Sequence, residues 1–288
     1  MTVTVAGHSE PRPTSAAWVD RLTNNLIKDL DALSPSSPPR RLGSAWRDAT
    51  FNVAARFGVD PQAAELGTWE AVVAAAQLGS ALFRTAGMTE GTTEVLIHHE
   101  MRTLPAAGPS WDANAETWTE AFWYAVITRD QPKMTELCQL PIDVLRASGA
   151  DHDDYLYHWV ATLQAYWLGR PELVPELTLT FQRSHPHVAV IAYADYIQQV
   201  AYPPINLFHK FLRKDEEGFH QALVEALELH KQYWTATPER ADDIDGLVPI
   251  GILAVTCLAH DAGIPVNVES PYLPEHLLKR SWLGKPEV

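Results

Sequence analysis

Over residues 202–234 the apolar positions recur at steps of three and four. Ile205, Phe208, Phe211 and Leu212 form one such series. After the charged interval Lys214-Asp215-Glu216-Glu217-Gly218, Phe219, Ala222, Leu223, Ala226, Leu227, His230, Tyr233 and Trp234 form a second. This is the period of a helix with one buried stripe, so the stretch predicts a helical hairpin turning at 214–218. Pro203 and Pro204 lack N–H groups and disfavour helix before them, which predicts that any preceding helix stops there. The same period predicts helices over 15–33, with Trp18, Leu22, Leu26, Leu30 and Leu33 on one side, and over 41–57, closing at Gly58. Another is expected from Asp60-Pro61, a capping and first-turn pair, to Thr85. Further helices are expected over 112–128, 134–147, 151–168, 173–182, 187–200, 242–258 and 272–282.

The period changes at residues 92–104 (TTEVLIHHEMRTL), where β-branched residues alternate with polar ones. This predicts one extended segment or half of a small hairpin. Residues 1–14 are small, polar and proline-bearing, as expected of a loose arm. From residue 112 onward the turns recur every 40–45 residues, which predicts stacked antiparallel helical hairpins. The expected fold is all-α, layered or solenoid-like, with one domain over 15–288 and at most a small β segment near 92–104.

The 288 residues carry 22 Lys and Arg against 36 Asp and Glu, a formal charge of −14. That balance argues against nucleic acid and against anionic membrane as partners, and suits a basic protein partner. Ten tryptophans point to wide helix packing or a partner surface. Two cysteines, Cys138 and Cys257, give no disulfide framework and no metal pair, which suits a reducing compartment. No apolar run looks long enough for a membrane span, and the N-terminus lacks the form of a signal peptide. The expected location is the cytoplasm.

Asp151-His152-Asp153-Asp154 is the densest candidate site. Its D-x-D-D pattern matches the acid motif of some helical terpene cyclases. The plainer reading is a helix start, where acids meet the dipole and free N–H groups. Asp242-Asp243-Ile244-Asp245 reads the same way. His98-His99-Glu100 offers metal-ligand types, but no helical His pair of ligand spacing accompanies it. Ser80 lacks a nucleophile elbow, and there is no P-loop and no G-x-G-x-x-G. The expectation is therefore no metal and no cofactor. If the chain were an enzyme, Asp151, Asp153, Asp154 and His158 would carry the chemistry. Aromatic residues crowd two helices: Trp118, Phe122, Trp123 and Tyr124 on one, and Tyr155, Tyr157, Trp159, Tyr166 and Trp167 on the other. Two apolar faces on one helix mean burial between neighbours or a groove for a partner.

Several runs together resemble the immunity protein 49 family, helical proteins of actinomycetes encoded beside bacterial polymorphic toxins. They are residues 118–129 (WTEAFWYAVITR), 145–149 (LRASG), 157–159 (YHW), 166–171 (YWLGRP), 202–208 (YPPINLF) and 230–234 (HKQYW). Residues 69–71, 102–105 and 280–284 extend the resemblance, which covers most of the chain from about Asp60. It implies a protein that binds a cognate toxin and blocks it, and it carries no catalytic residues. Under this reading Asp153 and Asp154 belong to an acidic rim, beside exposed aromatics such as Tyr155 and Trp123. The rim would face a toxin domain, with a basic nuclease as the suggested type. The alternatives are a cofactor-free or metal-assisted tailoring enzyme with an aromatic His and Asp pocket, and a helical-repeat adaptor.

Overall fold

The computed structural model describes residues 2–8 and 15–282. It is 63 % helical and nearly all-α, with only tiny strands. In chain order the elements are β1 (Val3–Thr4), α1 (Ala16–Asp31), α2 (Arg40–Val59), α3 (Leu66–Ala86), β2 (Thr92–Ile97) and β3 (Glu100–Pro105). Then follow α4 (Ala115–Thr128), α5 (Gln131–Gln139), α6 (Ile142–Arg146), α7 (Asp154–Leu168) and α8 (Leu173–Arg183). The last part holds α9 (Ala194–Tyr196), a π-helical turn (Ile197–Ala201), α10 (Tyr202–Leu212), α11 (Glu216–Trp234), α12 (Pro238–Ala241), a 3-10 turn (Ile244–Gly246), α13 (Ile250–Asp261), β4 (Val268–Glu269) and α14 (Glu275–Leu278). The described residues cluster into two compact units. One comprises 2–8, 15–16, 54–69 and 192–282, and the other 17–53 and 70–191.

In the second unit the consecutive pairs α4–α5 and α7–α8 pack as hairpins, and α7 also packs on α4 and α5. The indole N–H groups lock this stack. Trp118 Nε1 donates to the Leu137 carbonyl at 3.0 Å, and Trp167 Nε1 donates to Thr135 Oγ1 at 2.9 Å. Trp118 thus buries its ring and half-buried Trp167 tucks its ring in part, and each satisfies its donor. Gly79 sets the distance between helices: a Cβ there would lie 2.7 Å from Ala121 and 2.8 Å from Trp46. The predicted extended segment is a complete hairpin, β2 antiparallel to β3, with Val95 opposite Arg102 and Leu96 opposite Met101. His98 and His99 form its tip, both with positive φ, 48° and 67°. His98 and Glu100 therefore do not share a strand face. Arg102 ties the hairpin to α1, donating to the Leu30 carbonyl at 2.5 Å and to Asp31 at 3.0 Å.

In the first unit α10 and α11 form the expected hairpin, and α13 packs against both. The predicted stripe of α11 is buried from Phe219 to His230. The Asp215 carboxylate accepts from the Gly218 N–H at 2.9 Å and caps that helix. Pro203 and Pro204 do not stop the chain's helical course. The π turn widens the helix just ahead of them, with Tyr202 N–H bonding to the Ile197 carbonyl. A helix can absorb the lost proline donors through such a turn. Val3–Thr4, inside the stretch expected to be loose, pairs in parallel with Val268–Glu269. The remainder of that arm, 9–14, lies outside the described residues, as does 283–288.

Other boundaries moved for identifiable reasons. Asp60 holds the N–H groups of Ala64 and Glu65 at 2.9 and 2.8 Å, closing a loop, and α3 starts only at Leu66. Pro141 splits the predicted 134–147 helix; Leu140 before it is extended, with ψ 128°. Pro249 likewise delays α13 to Ile250. The expected 187–200 helix begins only at Ala194. The 272–282 helix shrinks to the four residues of α14. One 18-residue window, Ile244–Asp261, is apolar enough to cross a membrane by length and composition, against the expectation of none. Much of it is buried, including Ile252–Cys257 of α13.

Candidate functional site

The acidic cluster lies at the start of α7. Asp153, not Asp151, is the N-cap residue, with φ −60° and ψ 143°, yet its side chain makes no cap hydrogen bond. Its carboxyl group is buried and turns to the loop after α8. Oδ1 accepts from the Val190 N–H at 2.7 Å and from the Ile191 N–H at 3.1 Å, and Oδ2 lies 3.2 Å from the latter nitrogen. This contact explains why 187–200 is not a helix at its start. A run of Val188, Val190 and Ile191 has modest helix propensity, and here its amides are taken by a side chain from α7.

Asp154, in the first turn of α7, is about half exposed. Its Oδ1 accepts from Arg146 Nη2 at 3.0 Å, and Oδ2 lies 3.4 Å from His158 Nε2. The hydrogen bond from Arg146 is the main reason its carboxyl is held below the usual aspartate range, with the charge of His158 adding to it. The other ring nitrogen of His158, Nδ1, lies 2.7 Å from Glu176 Oε2 on α8. His158 thus bridges two carboxylates one helical turn and one helix apart. The Arg146 guanidinium sits 4.0 Å above the Tyr157 ring. Asp151 is exposed.

The four residues that an enzyme would need are therefore not gathered on one cleft. Asp154 and His158 meet, Asp153 faces backbone amides, and Asp151 is exposed near Tyr157. Among the described residues no three His, Cys, Asp or Glu side chains are grouped as metal ligands. The expected exposed aromatics are corrected as well. Trp123 and Tyr155 are each 5 % exposed. Trp123 packs 6.0 Å from Trp159, ring to ring, inside the α4–α7 layer. Burial pushes the Tyr155 phenol well above its ordinary value, helped by Glu116 and Asp153. Asp153 is itself too buried, at 7 % exposed, to stand in a rim. Asp151 and Asp154 remain at the surface.

Sequence reasoning missed Glu176, Arg146 and the 188–191 loop as members of this site. An i,i+4 spacing marks Asp154 with His158, but nothing local marks a partner 18 or 37 residues away. It also missed a polar network in which Glu136 accepts from Ser80 Oγ at 2.8 Å and from Arg84 Nη2 at 2.7 Å. That network accounts for Ser80 as a buried structural hydroxyl.

Fold and site together define a nearly all-helical, acidic protein in which Asp153, Asp154 and His158 are engaged by its own backbone and side chains. A family model described as Immunity protein 49 matches residues 60–277, and the chain belongs to that family. The start of the match agrees with the resemblance expected from about Asp60; residues 280–284 fall beyond its end. No curated protein and no solved structure matches the chain.

Proposed function

We propose that this chain is an immunity protein that binds a cognate toxin domain and blocks it by occupying its surface. The observation that carries the reading is the family match over residues 60–277. Support also comes from the formal charge of −14, which favours a basic partner, and from the exposed Asp151 and Asp154 at the start of α7. A basic nuclease domain is the toxin type that this charge fits best, because a nuclease groove is already built to attract negative charge. The place of action is the cytoplasm, where such a toxin would meet its target.

The test is growth rescue. The toxin domain encoded beside this gene, or a panel of toxin domains encoded beside family members, is expressed in a host with and without the chain. Rescue by the chain, together with a complex of purified components, is the expected outcome. A toxic domain panel against which the chain gives neither rescue nor complex would overturn the reading.

A further inference from the structure

Residues 188–191 form an apolar ridge held out from the second unit. Val188 is 45 % exposed, Val190 86 % and Ile191 53 %, while Ala189 between them is 8 % exposed and anchors the loop inward. Loops of ordinary proteins place polar residues at such positions, and adjacent exposed aliphatic side chains mark contact surfaces. The ridge is also held in place. The buried Asp153 carboxyl accepts from the N–H groups of Val190 and Ile191 within 2.7–3.2 Å. Taking a carboxyl out of water costs free energy unless its oxygens are bonded. Here the bonds to those two N–H groups fix the backbone under two outward aliphatic side chains. Fixing a loop before binding removes part of the ordering entropy that association otherwise incurs.

We propose that residues 188–191 are the apolar centre of the surface that docks the toxin domain, and that Asp153 is the residue that positions it. The inference rests on the immunity reading above. The occupant is a protein with an apolar groove rimmed by Lys or Arg. Asp153 brings the ridge next to its sequence neighbours Asp151 and Asp154, both exposed. Within the second unit, residues 146–191 hold five acidic residues against Arg146, Arg170 and Arg183. A second copy of the chain would bring the same acids and the same net charge of −14 to the contact, so like charges oppose self-association there. Anionic lipid is disfavoured for the same reason. A stable interface takes about 800 Å² from each partner. The ridge is its centre, and the exposed acids form part of its rim.

Kinetics of the full chain with the toxin domain encoded beside it, or with the domain from the panel that it neutralises, test the proposal. Val190→Glu and Ile191→Glu sit on exposed side chains and leave folding intact, as circular dichroism will show. Each should speed dissociation by about tenfold or more, the loss typical of an interface anchor. Leu96→Glu, on an exposed face of the β2–β3 hairpin, is the control and should leave dissociation unchanged. Asp153→Asn keeps one acceptor. It should raise amide exchange at Val190 and Ile191 and weaken binding less than Asp153→Ala does. Binding that survives Val190→Glu and Ile191→Glu unchanged would overturn the ridge and leave the immunity reading standing. Absence of any binding by the wild-type chain would overturn both. A wild-type dimer in sedimentation that Val190→Glu dissolves would assign the ridge to a second copy instead. Unchanged amide exchange in Asp153→Ala would remove the positioning role.

Discussion

At residue 230 the fold holds an imidazole that resists protonation. His230 is almost wholly buried on α11, and its Nε2–H donates to the Gly246 carbonyl at 2.8 Å. Burial is the largest cause that lowers its pKa to about 4, with nearby His8 adding to it; the Gly246 bond acts in the other direction. An unfolded histidine titrates near 6.5. The folded pKa is the lower one, so the unfolded state binds the extra proton first. The contribution is fully present above about pH 6.5 and is lost as pH falls toward 4. A shift of this size corresponds to about 3 kcal/mol across that window. Urea unfolding at pH 7 and pH 4.5 should show a loss of that order, and His230→Gln should reduce the difference between the two pH values. A wild-type stability that is flat over this range would contradict the assignment. Asp154 acts in the same direction at lower pH: its depressed pKa adds stability above the ordinary aspartate value, lost as pH falls through the folded one.

At the scale of elements, the β2–β3 hairpin shows a local rule broken. Two-residue hairpin turns with positive φ at both positions favour Asn-Gly, because other residues incur a steric penalty there. This hairpin uses His98-His99. The turn persists because the surroundings fix it. The His98 N–H donates to Gln77 Oε1 at 2.8 Å, and Arg102 fastens β3 to the end of α1. Replacing His98 by Asn and His99 by Gly keeps that backbone bond and relieves the left-handed strain. The added backbone entropy of glycine in the unfolded chain offsets part of the gain. The double variant should be more stable by about 1 kcal/mol, read as a higher urea midpoint with unchanged slope. A lower midpoint would mean that the imidazoles make contacts worth more than the strain.

For the whole molecule, charge decides the kinetics of any encounter. With a formal charge of −14, a basic partner is drawn in over a Debye length, about 10 Å at 0.1 M salt. Reversing Asp153 would confuse two effects, because that carboxyl holds the 188–191 loop. Reversing Asp154 would do so too, because its carboxyl holds Arg146 and His158, so the informative variant is the exposed Asp151→Lys. It should slow association several-fold at low salt, much less at high salt, and leave dissociation nearly unchanged. Stopped-flow or surface-binding rates at two ionic strengths would check it. A slowing that does not depend on salt would remove charge steering as the cause.

The hydrophobic period by itself determined the nearly all-helical class, the α10–α11 hairpin with its turn at Asp215, and the paired helices α4–α5 and α7–α8. These follow from local rules: spacing of apolar residues, a capping carboxylate, and Gly169 in the left-handed C-cap of α7 with φ 65°. The aromatic runs carried the family as well, because buried Trp118 and Phe122 fix how neighbouring helices meet. What the sequence left open depended on distant partners. The Asp-rich tetrapeptide reads most plainly as a helix start, and its sequence does not say which carboxyl caps, which pairs and which faces solvent. Only packing turned Asp153 away from α7 and onto the amides of Val190 and Ile191, and left Asp154 between Arg146 and His158. Trp123 and Tyr155 look alike as surface anchors or core until the layer on the other face is placed. A periodic pattern records which side of a helix is apolar, whereas burial on both sides, and the hydrogen bond a side chain chooses, are set by groups tens of residues away.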